Sequence, residues 1–570
     1  MYNFNRQKDN VLYREKKNNS GKKSVLLISF YNQKALGVRY LEKSLKTAGI
    51  PVYIVILKRF NSKSPEEITD REVSLLKEVI NQLKPGLIGF SVMTSLYLES
   101  VYKVNTMLKE NYDIPIVWGG VYPTLFPEKC LEYADFVIRG EGEKSLVKLA
   151  EIIFKYNIYG FNLCHDGDKC DVRPKVKCTD RTIDHNDYNT GFYAELKNIR
   201  NLAYKAYDAN ESSIVINELD YLCQNLDEYG YPEIDNSNKF VIDDDRLILE
   251  DPLLKSYSYE LSASRGCPFA CSYCSSINLH RLYKGKGNYV RYRTVNNVIE
   301  ELKEAKSRIK NLKFVHFWDE IFPQDKDWID EFAIKYKQEI NLPFSIWTHP
   351  LKISSESIEK LVQAGLYKTV MGIQSGSPRI RKDIFHRIET QEDIINASKI
   401  LSESKVPRVI YDFMLRHPFE TREDMTQTFE LCKKLHKPFE LQLHGLYFLP
   451  GTDIIDLAVK TGVVDAVELE KMMYAPMKKQ YAFYWGKNYN GTKDEDVVAN
   501  FWYSMIYMTQ FKFLDPITDY ILRKLKENDE ILKVIEPNFS LKLLINSSKM
   551  LMPIARIKDY YSKFRLITRT

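Results

Sequence analysis

The chain has 570 residues, enough for several domains with well-formed cores, and 44% of them are hydrophobic, an ordinary globular share. Lys and Arg number 82 against 76 Asp and Glu, and a net charge of +6 over this length gives no argument for nucleic-acid binding. No run of 18 apolar residues occurs, so no spanning helix is expected. The polar, basic start MYNFNRQKDNVLYREKKNNSGKKS has no apolar stretch of the secretory kind. A reducing cytoplasm is the expected compartment, where clustered thiols bind metal more often than they pair.

In chain order, residues 1–22 read as a loose tail. Short apolar strands then alternate with helical stretches. The strands are SVLLISF (24–30), VYIVILK (52–58), GLIGFSV (86–92), IPIVWGG (114–120) and a short one within ADFVIRGEGE (134–143). This pattern predicts an α/β, Rossmann-like doubly wound sheet over 23–155, whose ligands bind beyond the carboxyl ends of its strands. Residues 156–250 are polar and read as a connector or insert with little regular structure. A second series over 251–460 has strand candidates at 259–267, 314–322, 344–350, 368–376, 408–415 and 440–449. Six βα units imply an open barrel related to the (β/α)8 plan, with chemistry on the loops after the strands. Residues 461–570 read as a helical C-terminal cap.

The stretch SASRGCPFACSYCSS (262–276) puts Cys267, Cys271 and Cys274 on the loop after the first barrel strand, spaced C-x3-C-x2-C. Thiolates select iron–sulfur clusters, zinc or copper. A structural zinc site wants four ligands, usually as two pairs, and no second C-x2-C exists. A cubane cluster usually takes four thiolates, so three leave one iron open to a ligand.

RGCPFACSYC resembles the signature of the radical S-adenosylmethionine (SAM) enzymes, C-x3-C-x-aromatic-C. The resemblance implies a partial (β/α)6 barrel and a [4Fe-4S] cluster held by Cys267, Cys271 and Cys274. It also implies SAM on the open iron, cleaved by one electron to methionine and a 5′-deoxyadenosyl radical. Phe269 and Tyr273 then lie beside the cofactors, Tyr273 in the aromatic position near the adenine. FWDEIF (317–322) resembles the family's second-strand motif with its acidic pair, here Asp319 and Glu320. MGIQSGSPRIRKDIFHR (371–387) resembles a G-I-E-S-G-S segment in which Gln374 replaces Glu, with Ser375 following. FMLRHPFETREDMTQT (413–428) resembles a G-x-P-G-E-T segment in which Arg416 and Phe419 replace glycines. YFLPGTDI (447–454) matches the family's P-G-T turn.

WGGVYPTLFPEKCLEYADFVIRGEGE resembles the cobalamin-binding domain that precedes the barrel in one radical SAM subclass. The resemblance implies that the backbone at Gly119 and Gly120 approaches the corrin. Ser91 and Thr94 would meet the nucleotide tail, and Glu141 and Gly142 belong to the loop after the fifth strand. After the first strand, NQKALG (32–37) has Asn32 and Lys34 where D-x-H-x-x-G domains carry Asp and His. Cobalamin is therefore expected base-off, with no histidine ligand from that loop. A degenerate sheet that binds nothing is the plainer alternative.

The implied function is cobalamin-dependent methylation of an unactivated carbon, by way of methylcobalamin. An oxidative cyclase or rearrangement enzyme on the same scaffold is the first alternative. A tRNA methylthiotransferase and a non-catalytic cobalamin sensor follow. Expected partners are a small-molecule, lipid or peptide substrate and an electron donor such as flavodoxin or ferredoxin, with no nucleic acid. Cys164, Cys170 and Cys178 beside His165 read as free thiols rather than a second metal site. His316 and His349 lie on barrel strands, either as core residues or as a base or substrate contact. The tail 541–570 is basic, with Lys542, Lys549, Arg556, Lys558, Lys563, Arg565 and Arg569 against Asp559 alone. It reads as a solvated helix, with membrane-surface contact as the alternative.

Overall fold

The computed structural model describes residues 23–61, 65–159, 175–176, 185–208, 211–484 and 493–527. The first apolar series forms β1 (Val25–Phe30), α1 (Leu36–Thr47), β2 (Val52–Leu57), α2 (Asp70–Leu83), β3 (Leu87–Ser91), α3 (Leu98–Asn111), β4 (Ile116–Gly119), β5 (Phe136–Ile138) and α4 (Glu143–Lys155). Every residue of β1 and β2 is buried, as parallel strands covered on both faces require. On one face Leu26, Ile28 and Phe30 pack with Val79 and Ile80 of α2 and Val104 of α3. On the other, Leu27 and Ile54 pack with Leu45 of α1 and Leu149 and Ile153 of α4.

The segment expected to carry little regular structure carries a good deal. It holds α5 (His185–Leu196), β6 (Leu202–Asp208), β7 (Glu211–Ile216), β8 (Lys239–Asp243) and β9 (Arg246–Leu249). These strands widen the sheet to nine, in the order β9-β8-β2-β1-β3-β4-β5-β6-β7. The β6–β7 and β8–β9 pairs are antiparallel hairpins, one on each edge of the parallel sheet. Their polar look belongs to edge strands that keep a wet side, with Ile214 and Ile248 exposed. Between the hairpins, residues 217–238 cross from one edge to the other.

The second series is a six-stranded, all-parallel open barrel. It begins with β10 (Ser258–Leu261). A small antiparallel ribbon of β11 (Ser264–Arg265) and β12 (Arg291–Tyr292) follows, with α6 (Ser275–Leu282) between its arms. Then come α7 (Val295–Arg308), β13 (Phe314–Phe317), α8 (Lys326–Lys335), β14 (Phe344–Thr348), α9 (Ser355–Ala364), β15 (Leu366–Gln374), α10 (Gln391–Glu403), β16 (Arg408–Leu415), α11 (Arg422–Lys434) and β17 (Glu440–Gly445). Alternate residues such as Tyr259, Leu261, Val315, Phe317, Tyr411 and Phe413 join the core under the helices. The residues between them face the lumen. From the C-terminal region, α12 (Lys493–Met508) buries Phe501, Trp502 and Met505 in that same core, and α13 (Asp515–Glu527) follows. Among the described residues no helix is long and apolar enough to cross a membrane. Cys164, Cys170, Cys178, His165 and the basic tail 541–570 lie outside the described residues.

Candidate active site

The cysteine loop is held from below by the acidic pair after β13. Asp319 accepts from the Ser264 hydroxyl and from the amides of Ala263 and Ser264, and Glu320 accepts from the Gly266 amide. Gly266 is needed where it stands: its φ is +92°, and a Cβ there would lie 2.3 Å from the Tyr289 carbonyl oxygen. The loop's far side is pinned by Ser272, whose hydroxyl donates to the Ile384 carbonyl (2.5 Å) and whose amide donates to that of Phe385 (3.1 Å). Burial pushes the Asp319 carboxyl up to about 7, and its Oδ2 has no hydrogen-bond partner.

Cys267, Cys271 and Cys274 are free, partly exposed thiols, and Cys267 lies within electrostatic reach of both others. Burial pushes the Cys267 thiol up to about 12 and that of Cys274 upward as well. These two are therefore neutral until a metal displaces their protons. Among the described residues no three His, Cys, Asp or Glu side chains converge as ligands of one ion do. A cubane takes each thiolate on a different iron, so its ligands need not converge. The donor set fits a cluster better than a single zinc.

A buried chain of contacts, not foreseen from the sequence, leads away from the thiols. Arg387 Nη1 lies 4.0 Å from Cys271 Sγ and 3.3 Å from the Tyr273 hydroxyl. Its other nitrogens donate to the Gly372 carbonyl (2.7 Å) and to Glu389 (2.5 Å). Glu389 reaches His349 Nε2 at 3.3 Å, and Phe269 stacks on the His349 ring at 3.7 Å. His349 thus has a positioning role beside the loop. Arg387 closes the segment 371–387 and bonds the nearby Glu389; the distance of both in sequence from His349 and the cysteine loop hid the chain.

Gln374 ends β15 with φ +69° at a register shift; it is buried, and its Oε1 has no hydrogen-bond partner. An orphan acceptor in a strained backbone beside the cysteine loop is an arrangement a ligand donor would complete. Ser375 is buried and turned inward, its hydroxyl accepting from the Ser377 amide (3.1 Å). Arg416 answers its own departure from glycine: it keeps a left-handed φ of +56° and sends its side chain to Asn500 and the Tyr503 ring of α12. Phe419 packs in an apolar cluster with Phe448 and Ile454.

A cavity of about 430 Å³ opens between the sheet's carboxyl ends and the barrel. Ser91, Gly119, Gly120, Glu141 and Gly142 line it from the sheet side, and Trp318 and Glu320 from the barrel side. Thr94 is not among the lining residues; it caps the turn Ser95–Tyr97. Gly120 has φ +113°, and a Cβ there would strike the Val92 carbonyl oxygen at 2.6 Å. Its carboxylate makes Glu141 a link between domains. It meets Arg265 (3.1 Å), Arg291 (2.8 Å) and the Tyr229 hydroxyl (3.1 Å). Among the described residues no histidine lines the cavity. Asn32 accepts from the amides of Lys34 and Ala35, and Lys34 reaches out to Ser256 and the Ser258 carbonyl of the barrel. The glycine-lined, largely apolar walls fit a planar macrocycle.

Residues 24–150 match the B12 binding domain and residues 261–432 the Radical SAM superfamily. The chain is a radical SAM enzyme with a B12-binding domain. Over 413 residues, this radical SAM enzyme is 27% identical to an uncharacterized methyltransferase of Pyrococcus horikoshii, covering 69% of this chain and 74% of that one. It is 21% identical over 421 residues to the anaerobic magnesium-protoporphyrin IX monomethyl ester cyclase of Rubrivivax gelatinosus, covering 70% of this chain and 61% of the cyclase. Its fold is similar to that of the radical SAM methyltransferase TsrM of Kitasatospora setae, solved with tryptophan and a SAM analogue. That match has a TM-score of 0.55 and 16% identity, covering 77% of this chain and 76% of the other.

Proposed function

We propose that this radical SAM enzyme is a cobalamin-dependent C-methyltransferase acting on an unactivated carbon. The observation that carries the reading is the shared cavity. The carboxyl ends of the sheet wall it on one side, and the residues just ahead of the cysteine loop wall it on the other. A substrate there can reach a corrin on one side and a SAM-derived radical on the other. Cys267, Cys271 and Cys274 would hold the cluster, and Gln374 Oε1 would accept a hydrogen bond from SAM. Tyr273 and Phe269 would flank that site, while Ser91, Gly119, Gly120 and Gly142 would border the corrin. When bound, the cluster supplies the electron that cleaves SAM and cobalamin supplies the methyl group. The chain's own part is to fix geometry and exclude water. Arg387 sets the electrostatics beside Cys271, and the acidic pair fixes the loop. An electron donor of the flavodoxin or ferredoxin kind would feed the cluster.

The test is anaerobic reconstitution with iron, sulfide and cobalamin, then SAM and a reductant. 5′-Deoxyadenosine and S-adenosylhomocysteine are quantified, with Cys271→Ala as control. Both products are expected, with 5′-deoxyadenosine lost in the control. The likeness to the cyclase supports a second reading, oxidative cyclisation, which gives 5′-deoxyadenosine without S-adenosylhomocysteine.

A further inference from the structure

The last described helix has two unlike sides. The turn Lys512–Leu514 and α13 carry Phe513, Ile517 and Tyr520, which are 69%, 49% and 56% exposed. At 3.6 residues per turn Ile517 and Tyr520 share one face of α13, and Phe513 stands about one turn ahead of them. One exposed apolar side chain is ordinary, but three large ones in a row mark a contact surface. The opposite side is committed to the body of the protein. Leu514, Ile521 and Leu522 pack against the barrel core, and Thr518 is buried. Asp515 meets Lys433 (3.2 Å) and Lys437 (2.7 Å), and Asp519 meets Lys433 (2.9 Å). Lys512 and Arg523 stand exposed at the two ends of the apolar stripe.

Charge decides what covers this stripe. Residues 531–570, which continue the chain beyond α13, carry eight Lys and Arg against two Asp and Glu, a surplus of six that equals the net charge of the whole chain. Leu, Ile, Met, Phe and Tyr are interspersed among those cations. We propose that this corner of the enzyme docks on an anionic lipid surface. Phe513, Ile517 and Tyr520 would enter the boundary between headgroups and acyl chains, while Lys512, Arg523 and the cations that follow would meet lipid phosphates. The other occupants are disfavoured by the same charges. A second copy on the same stripe would set two surpluses of six face to face. The basic segment of the chain itself would find no carboxylate on the stripe, because Asp515 and Asp519 are turned to Lys433 and Lys437. None of Phe513, Ile517 and Tyr520 lines the interdomain cavity, so the inference goes beyond the reading of the reaction and does not depend on it.

The experiment uses the full chain, reconstituted with its cofactors and mixed with phosphatidylcholine vesicles that hold either about one-third phosphatidylglycerol or none. After flotation on a density gradient, the protein should rise with the anionic vesicles and stay behind with the neutral ones. Raising the salt from about 0.1 M to about 0.5 M should release most of it. The triple variant Phe513→Ser, Ile517→Ser, Tyr520→Ser should cut partition onto the anionic vesicles by roughly tenfold or more, with far-UV circular dichroism unchanged. The variant Lys512→Glu, Arg523→Glu keeps the apolar stripe and changes only exposed positions, and it should also weaken partition by roughly tenfold or more. No flotation, equal flotation on neutral vesicles, or undiminished flotation of either variant would overturn the inference. A dimer in light scattering that the serine variant splits would assign the stripe to a second copy. A serine variant that melts earlier yet floats like the parent would assign it to the chain's own basic segment. Either of these results overturns lipid docking as well.

Discussion

Arg265, two residues ahead of Cys267, is where the cysteine loop meets the loop after β5, and Arg265→Met measures that junction. Its guanidinium donates to Glu143 at 2.6 Å and Glu141 at 3.1 Å and lies over the rings of Tyr40 and Tyr229. Glu141 keeps Arg291 when Arg265 is removed. Glu143, with only 6% of its side chain exposed, keeps no cation that these contacts record. Breaking a fully buried pair costs about 3–5 kcal/mol, and an exposed pair is worth about 0–1 kcal/mol. The Arg265 side chain is 27% exposed, which places the loss near 2 kcal/mol by interpolation between those limits. In a chain of 570 residues unfolding as one unit, that lowers the melting temperature by roughly 2 °C. Circular-dichroism melts of Arg265→Met, Glu143→Gln and the double variant test it, the double losing about 1–2 kcal/mol less than the sum. Hydroxocobalamin retained through gel filtration should fall in parallel, because residues 140–143 line the cavity. A shift under about 1 °C or strictly additive losses would refute the reasoning.

Gly266→Ala should lower the iron retained on reconstitution while leaving far-UV circular dichroism unchanged, since the added Cβ meets backbone rather than a yielding side chain. Burial raises the Glu420 carboxyl to about 7, so the folded state holds a proton that the unfolded chain releases near pH 4.5. Stability from this group is fullest below that value and falls as pH rises to about 7, and Glu420→Gln should flatten the melting temperature across the window. Burial lowers His417 to about 3, so its contribution is complete above about pH 6.5 and is lost as pH falls toward 3. His417→Gln should therefore soften the acid limb of the same profile. A profile unchanged by either variant would remove that residue from the account.

Strand positions were legible because buried parallel strands leave solid apolar runs; β1, β2 and β16 fall within a residue or two of the ranges read from the sequence. The hairpins β6–β7 and β8–β9 were not, because an edge strand with one wet face mixes polar residues into a short run. The cysteine loop was legible by spacing alone. Its supports were not: Asp319 and Gln374 came from the resemblance, while Arg387, Glu389 and His349 meet only in the folded chain. Arg416 shows a backbone demand outliving the residue that usually meets it, since the left-handed turn remains after the glycine has gone. Glu141, expected beside the cofactor, spends its carboxylate on two arginines and a tyrosine while its backbone borders the cavity.

Residues 217–238 are clamped from both sides. Leu222 bonds the Lys286 carbonyl, the Cys223 carbonyl accepts from Arg291, and Asp227 accepts from Thr294. Tyr229 and Leu226 pack toward the sheet domain, and Leu222 and Leu226 wall the cavity. The two halves therefore cannot part about a single hinge, because the chain is laced across the seam. A large molecule seated against that lacing exchanges more slowly the less often the segment comes undone, so the local stability of residues 217–238 contributes to its residence time. Loading and loss of the cofactor would then be tuned together by the contacts of Leu222, Cys223 and Asp227, which touch no reacting atom.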